Sequence, residues 1–184
     1  MENDLSLLDA ARKLDQNALG AIFDRYATDL YNYALRMCGD TVKADNVVGD
    51  VFTKFLEQLA DGKGPQKNLR SYLYTMIYHR IIDGSRLSQR EAPLELVDFE
   101  LNQNDRQQSM ASLLENKLLS DMLIRAIKNH LTANQRHVII LRFVEEFSLR
   151  ETAQIVSKDV SSVKSIQNRA IVKLRKVLDH QVSV

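Results

Sequence analysis

The sequence predicts an all-α protein of two small helical domains joined by a flexible acidic linker, the C-terminal one a helix-turn-helix. Three observations predict it. Every strongly patterned segment repeats its apolar residues three or four apart. Only 6 Gly and 2 Pro occur in 184 residues, few for a chain of many tight turns. One stretch, 88–112, carries five acids against two bases and loses the helical spacing. The predicted boundaries are 1–87, 88–112 and 113–184.

Residues 4–14 read as a short helix on Leu5, Leu8, Ala11 and Arg12. Asp15 is placed to cap a second helix with Leu19, Ile22, Phe23, Tyr26, Leu30, Tyr33, Ala34 and Met37 on its inner side. Gly39 and Asp40 end it, and Thr41 is the expected cap of a third. That helix aligns Ala44, Val47, Val48, Val51, Phe52, Phe55, Leu56 and Leu59 against a polar face of Lys43, Asp45, Asp50, Lys54 and Glu57. Gly62, Gly64 and Pro65 break the chain. Asn68 is the expected cap of a fourth helix reaching roughly Asp83, with Leu69, Leu73, Met76 and Ile77 inward. Helical spacing returns at Leu113, Leu114, Leu118, Met122 and Ile127.

The C-terminal segment holds two capping boxes, Thr132-Ala-Asn-Gln135 and Ser148-Leu-Arg-Glu151. The second opens a short helix, Ser157 and Lys158 turn, and Asp159 caps a longer helix. Two helices joined by a three- to four-residue turn match the helix-turn-helix plan. In the last helix Val160, Val163, Ile166, Ala170, Leu174 and Val177 are expected inward. Ser161, Ser162, Lys164, Ser165, Asn168, Arg169, Lys173 and Lys176 are expected exposed. Hydroxyls, an amide and cations near a helix N-terminus suit phosphates and base edges in a major groove. The alternative is an amphipathic bundle helix whose cations are merely solvated.

The net charge of +1 conceals alternating blocks: −5 over 1–62, +4 over 63–87, −3 over 88–112 and +5 over 113–184. Two basic blocks flanking an acidic one suit two contacts with one long polyanion, as well as ordinary solvated faces. Catalysis is poorly supported. His79, His130, His137 and His180 lack metal-ligand spacing, Cys38 has no evident partner, and no glycine-rich phosphate loop or nucleophile motif occurs. No cofactor, metal or catalytic residue is expected. A single cysteine excludes an internal disulfide, and the acidic start with no long apolar run points to a cytoplasmic protein.

Within this frame several strings, in order, resemble the extracytoplasmic-function group of sigma-70 family sigma factors. Val163-Lys-Ser-Ile-Gln-Asn-Arg-Ala170 resembles that family's recognition helix, commonly Val-Lys-Ser-x-x-x-Arg-Ala. Arg136 to Phe143 and Ser148 to Ile155 resemble the two helices before it. Tyr31-Asn-Tyr-Ala-Leu-Arg36 with Gly39-Asp40 is similar to the start of sigma region two. Ala44 to Leu59 is similar to the helix that binds the polymerase clamp. Leu69 to Tyr74 and Tyr78 to Asp83 resemble the promoter-melting helix.

The resemblance implies an alternative sigma factor that binds core RNA polymerase and directs promoter recognition and melting in transcription initiation. It implies polymerase contacts at Asp45, Asn46, Asp50, Thr53, Lys54 and Glu57. It implies capture of the melted minus-ten strand by Lys63, Lys67, Arg70, Tyr74, Tyr78, His79, Arg80 and Arg86, where cations meet phosphates and flat rings meet bases. Duplex contacts at the minus-thirty-five element fall to Arg142, Ser162, Lys164, Ser165, Asn168, Arg169 and Lys173. A 25-residue linker reaches about 80 to 90 Å, enough for two elements roughly 50 to 70 Å apart. An anti-sigma protein is a further implied partner. Gly49 stands where the family usually has Gln, His79 where many members have Asn, and Gly84-Ser85 where they have a bulkier pair. Two other readings compete. One is a helix-turn-helix regulator binding an operator alone, with 1–87 as a sensor or dimerisation domain. The other is a helical adaptor without DNA binding.

Overall fold

A computed structural model describes residues 4–88 and 122–182, with the side chains of 85–88 and 180–182 outside that set. Among the described residues all regular structure is helical: α1 (Asp4–Ala11), α2 (Gln16–Cys38), α3 (Thr41–Ala60), α4 (Leu69–Ser88), α5 (122–130), α6 (Ala133–Phe143), α7 (Leu149–Ile155) and α8 (Val160–Val182). The chain divides into two compact units.

In the first unit α2 packs on α3 and α4, α3 on α4, and α1 on α2 and α4. The apolar stripes meet in a core containing Leu8, Ile22, Leu30, Tyr33, Phe55, Leu69, Leu73, Tyr74 and Ile77, each at most 1% exposed. Asp15 caps α2 as its position predicts, accepting from the Ala18 amide at 2.8 Å. Gly39 ends α2 at φ 67°, a left-handed conformation that glycine adopts without a Cβ clash. The amino end of α1 is tied to α2 by Asp4, which accepts from Tyr26 at 2.6 Å and pairs with Arg25 at 2.5 Å.

The structure moves several expected boundaries. The cap of α3 is Asp40, not Thr41: Asp40 is extended and its carboxylate accepts from the Lys43 amide at 2.8 Å. A carboxylate there also complements the helix dipole. Helix α1 stops at Ala11, and the chain turns through Leu14 at φ 58°. Helix α4 continues past Asp83 to Ser88. One interior glycine costs a helix only about 1 kcal/mol, and no proline stands near Gly84 to stop it. Asn68 has φ 53°, and its carbonyl rather than its side chain starts α4, accepting from the Tyr72 amide at 3.0 Å. Phe23 and Leu56 are exposed, so the α2 and α3 stripes are wider than the core they cover.

In the second unit Ala126, Leu131, Ile139, Ala170 and Leu174 form the buried cluster among α5, α6 and α8. Thr132 and Gln135 close the first capping box, and Ser148 and Glu151 exchange the same pair of bonds at the start of α7. Val163 and Ala170 are fully buried, whereas Val160 is 42% exposed. It is the first residue of α8, ahead of the packed turns. The linker expected over 88–112 lies outside the described residues except for Ser88, as do Leu113, Leu114 and Leu118.

Candidate nucleic-acid interface

The first candidate surface is built by α3, the loop 61–68 and α4. All six residues singled out on α3, namely Asp45, Asn46, Asp50, Thr53, Lys54 and Glu57, are exposed on the side away from Ala44, Val48, Val51 and Phe55. That follows from the helical period: a stripe buried at i, i+4, i+7 leaves its complement in water. The loop carries Lys63 and Lys67, both exposed, with Lys63 Nζ 3.0 Å from Asp61. Gly62 turns the chain at φ 70°. Pro65 fixes the loop to the turn after α1 through its carbonyl, which accepts from Arg12.

Helix α4 separates the remaining candidates. Tyr74 is fully buried, edge-on to Tyr33 at 5.3 Å, with the Arg70 guanidinium 5.3 Å from its ring centre. Tyr78 is 7% exposed and packs edge-on to His79. Both tyrosines serve the core, and neither offers a ring face to a base, contrary to the expectation for them. His79 and Arg80 are exposed. Arg86 lies on α4, and its side chain is outside the described residues.

A groove of about 450 Å³ runs between α3 and α4, lined by Asp50, Lys54, Gln58, Tyr72, Met76, His79, Arg80 and Asp83 among others. Gln58 accepts from the Tyr72 hydroxyl across it. Arg80 reaches back over it to Asp50, with Nε at 2.7 Å and Nη2 at 2.6 Å from one carboxylate oxygen. The groove therefore joins two polymerase candidates, Asp50 and Lys54, to two minus-ten candidates, His79 and Arg80. Sequence reasoning missed Gln58, Tyr72, Met76 and Asp83 in its walls. The signal was available: Lys54 and Gln58 are four apart, as are Tyr72 and Met76, and His79 and Asp83 continue the α4 row.

The second candidate surface lies on α8. Lys164, Ser165, Asn168, Arg169 and Lys173 are exposed on successive turns, with Arg169 Nε 3.3 Å from the Ser165 carbonyl. Ser162 is committed to the cap. Its amide lies 2.8 Å from one oxygen of Asp159 and its hydroxyl 2.6 Å from the other, while the Ser161 hydroxyl donates at 2.5 Å. Those donors hold the Asp159 carboxyl well below the usual carboxylate range. Arg142 is also engaged: its Nε donates to Gln167 of α8 at 3.2 Å and its Nη1 to the Phe147 carbonyl. It joins α6 to the approach to α7 and to the middle of α8. Burial beside Arg136 pushes the His137 imidazole down to about 3, so it is neutral in the core. Among the described residues no cluster of His, Cys, Asp or Glu is placed to hold a metal ion, and no helix is long and apolar enough to cross a membrane.

The chain matches two protein-family profiles in order, sigma-70 region 2 over residues 22–91 and sigma-70 region 4 over residues 129–176. These are the two segments that carry the surfaces above. It is 28% identical to the ECF RNA polymerase sigma factor SigX of Bacillus subtilis over 160 residues, 86% of this chain and 82% of that one. It is 23% identical over 177 residues to the ECF RNA polymerase sigma factor BldN of Streptomyces coelicolor, covering 95% of this chain and 65% of that one. Its fold matches CnrH, solved in complex with the cytosolic domain of CnrY, at a TM-score of 0.69 and 23% identity, covering 97% and 99% of the two chains. It also matches the sigma factor RpoE of Bartonella quintana, solved with the anti-sigma factor NepR, at 0.67 and 22%, covering 87% and 96%. A region 2 domain in the N-terminal half overturns the alternative of a stand-alone operator-binding regulator with a sensor there. The chain belongs to the sigma-70 family, in its extracytoplasmic-function group, and is an alternative sigma factor.

Proposed function

We infer that this chain acts by binding rather than catalysis, in the cytoplasm, bringing core RNA polymerase to promoters and capturing the melted strand. Residues 1–87 form the polymerase and minus-ten module, 88–112 the tether, and 113–184 the minus-thirty-five module. The observation that carries the reading is the groove between α3 and α4, where the exposed face of α3 borders the exposed His79 and Arg80 of α4. Its volume of about 450 Å³ is ample for one extruded base, and Lys54, Arg80 and the loop lysines supply cations for the phosphates beside it. His79 and Met76 offer a ring and a polarisable thioether to the base, the role Tyr74 and Tyr78 cannot fill.

On α8, Lys164, Asn168 and Arg169 have the reach for base edges, Ser165 and Lys173 for phosphates. Ser162 and Arg142 act by holding the recognition helix. One solved neighbour is a sigma factor in complex with an anti-sigma factor, which supports an anti-sigma protein as the further partner.

The test is binding of a labelled pre-melted promoter fork by core polymerase with and without the protein. Tight binding is expected only with both together. Met76→Ala and His79→Ala together should weaken it at least tenfold while sparing binding of the sigma chain to core. Equal binding of the double variant would remove the groove from the account.

A further inference from the structure

Asp50 and Arg80 stand on the two functional faces of the first unit. Asp50 is on the exposed side of α3, among the residues assigned to polymerase; Arg80 is on α4, among those assigned to the melted strand. In the free chain each occupies the other, with Nε and Nη2 both within 2.7 Å of one carboxylate oxygen. The Nε/Nη2 edge of the fork is turned toward α3 and occupied, which leaves a phosphate only the outer Nη1/Nη2 side. The pair is about half exposed, 43% for Arg80 and 49% for Asp50. Such a pair is weak and screened, so it can be exchanged when a competing partner arrives. A phosphate oxygen can take the same Nε/Nη2 edge that the Asp50 oxygen holds. A polymerase cation taking Asp50 would release the fork.

We propose that Asp50 is a positioning residue that holds Arg80 away from single-stranded DNA until polymerase engages α3, so that strand capture is coupled to core binding. This rests on the assignment of α3 to polymerase and α4 to DNA. The bond exchanged is one ion pair for another; no covalent step is involved. Lys54, His79 and Asp83 line the same groove. None of them is paired with Asp50 or Arg80 in the hydrogen bonds described, so the coupling falls on this one contact.

The experiment measures binding of fluorescein-labelled (dT)12 by the full free chain, by anisotropy across a salt series. The sequence-neutral oligonucleotide isolates the phosphate contact. Asp50→Asn should bind two- to fivefold tighter than the parent, with a salt slope steeper by about 0.7, one added phosphate contact. Asp29→Asn, the same charge change on α2, measures the general electrostatic gain and should fall short of it. The excess should vanish in the Asp50→Asn/Arg80→Gln double variant. All three positions are exposed, and thermal melting checks that each variant folds. An Asp50→Asn affinity no higher than that of Asp29→Asn, or an excess that survives loss of Arg80, overturns the proposal. A second arm separates the two claims. With saturating core polymerase on a pre-melted template, Arg80→Gln should weaken binding. If Arg80→Gln has no effect there, the assignment of Arg80 to DNA falls and the coupling with it. If it weakens binding but Asp50→Asn shows no excess in the free chain, only the coupling falls.

Discussion

Individual side chains on these surfaces take their roles from what they touch, and burial separates neighbours that look alike in sequence. Tyr74 and Tyr78 share the aromatic chemistry suited to stacking on bases, yet both are buried, while His79 between the same turns is exposed. Arg142 illustrates the same point: its guanidinium bonds to Gln167 and to the Phe147 carbonyl. Hydrogen bonds to a charged donor are each worth about 1.5–3 kcal/mol. Arg142→Ala should therefore destabilise the second unit by about 2 kcal/mol and weaken duplex binding indirectly, whereas Arg169→Ala should weaken binding with the melting temperature unchanged. Thermal melts beside gel shifts of the two variants check this. His137 gives a pH signature. The folded protein keeps it neutral down to about 3, whereas the unfolded chain takes up a proton below roughly 6.5. The unfolded state then binds more protons, so stability falls as pH drops from about 6.5 toward 3, by about 1.4 kcal/mol per unit from this group. Hydrogen exchange of the α6 amides against pH should show that slope, and His137→Gln should remove it whatever the variant's absolute stability.

At the level of helices, most of the fold was legible because the signals are local. Apolar spacing located α2, α3, α6 and α8, and Asp15, Thr132, Ser148 and Asp159 cap where short polar side chains precede an apolar run. The failures were competitive choices between adjacent groups. Asp40 outcompetes Thr41 because its carboxylate reaches the Lys43 amide from an extended backbone; Asp40→Ala should cost about 1 kcal/mol and Thr41→Ala much less. Gly84 does not end α4, because a glycine alone lowers helix stability without forbidding it. Gly49 is a similar case inside α3. Open space surrounds the position a Cβ would take, so Gly49→Ala should stabilise the protein by about 0.5–1 kcal/mol, read as a rise in melting temperature. The Asp50–Arg80 pair was illegible for a different reason: it spans thirty residues and depends on the register in which α3 packs on α4, which no local period specifies.

For the molecule as a whole, the proposed surfaces on the two matched regions would make a two-point reader of one polyanion. The alternating charge blocks fit it: a basic stretch at 63–87, a basic C-terminal block, and acidic sequence between them. On the proposed assignment, specificity comes from simultaneous engagement of both surfaces, with polymerase setting the geometry. The most direct measurement is in vitro transcription by core polymerase on a library of promoter sequences, with and without this protein. The account predicts new start sites that share two upstream motifs and disappear on loss of Lys164, Asn168 and Arg169 together. Start sites unchanged by the protein, alongside tight duplex binding in the absence of polymerase, would contradict it.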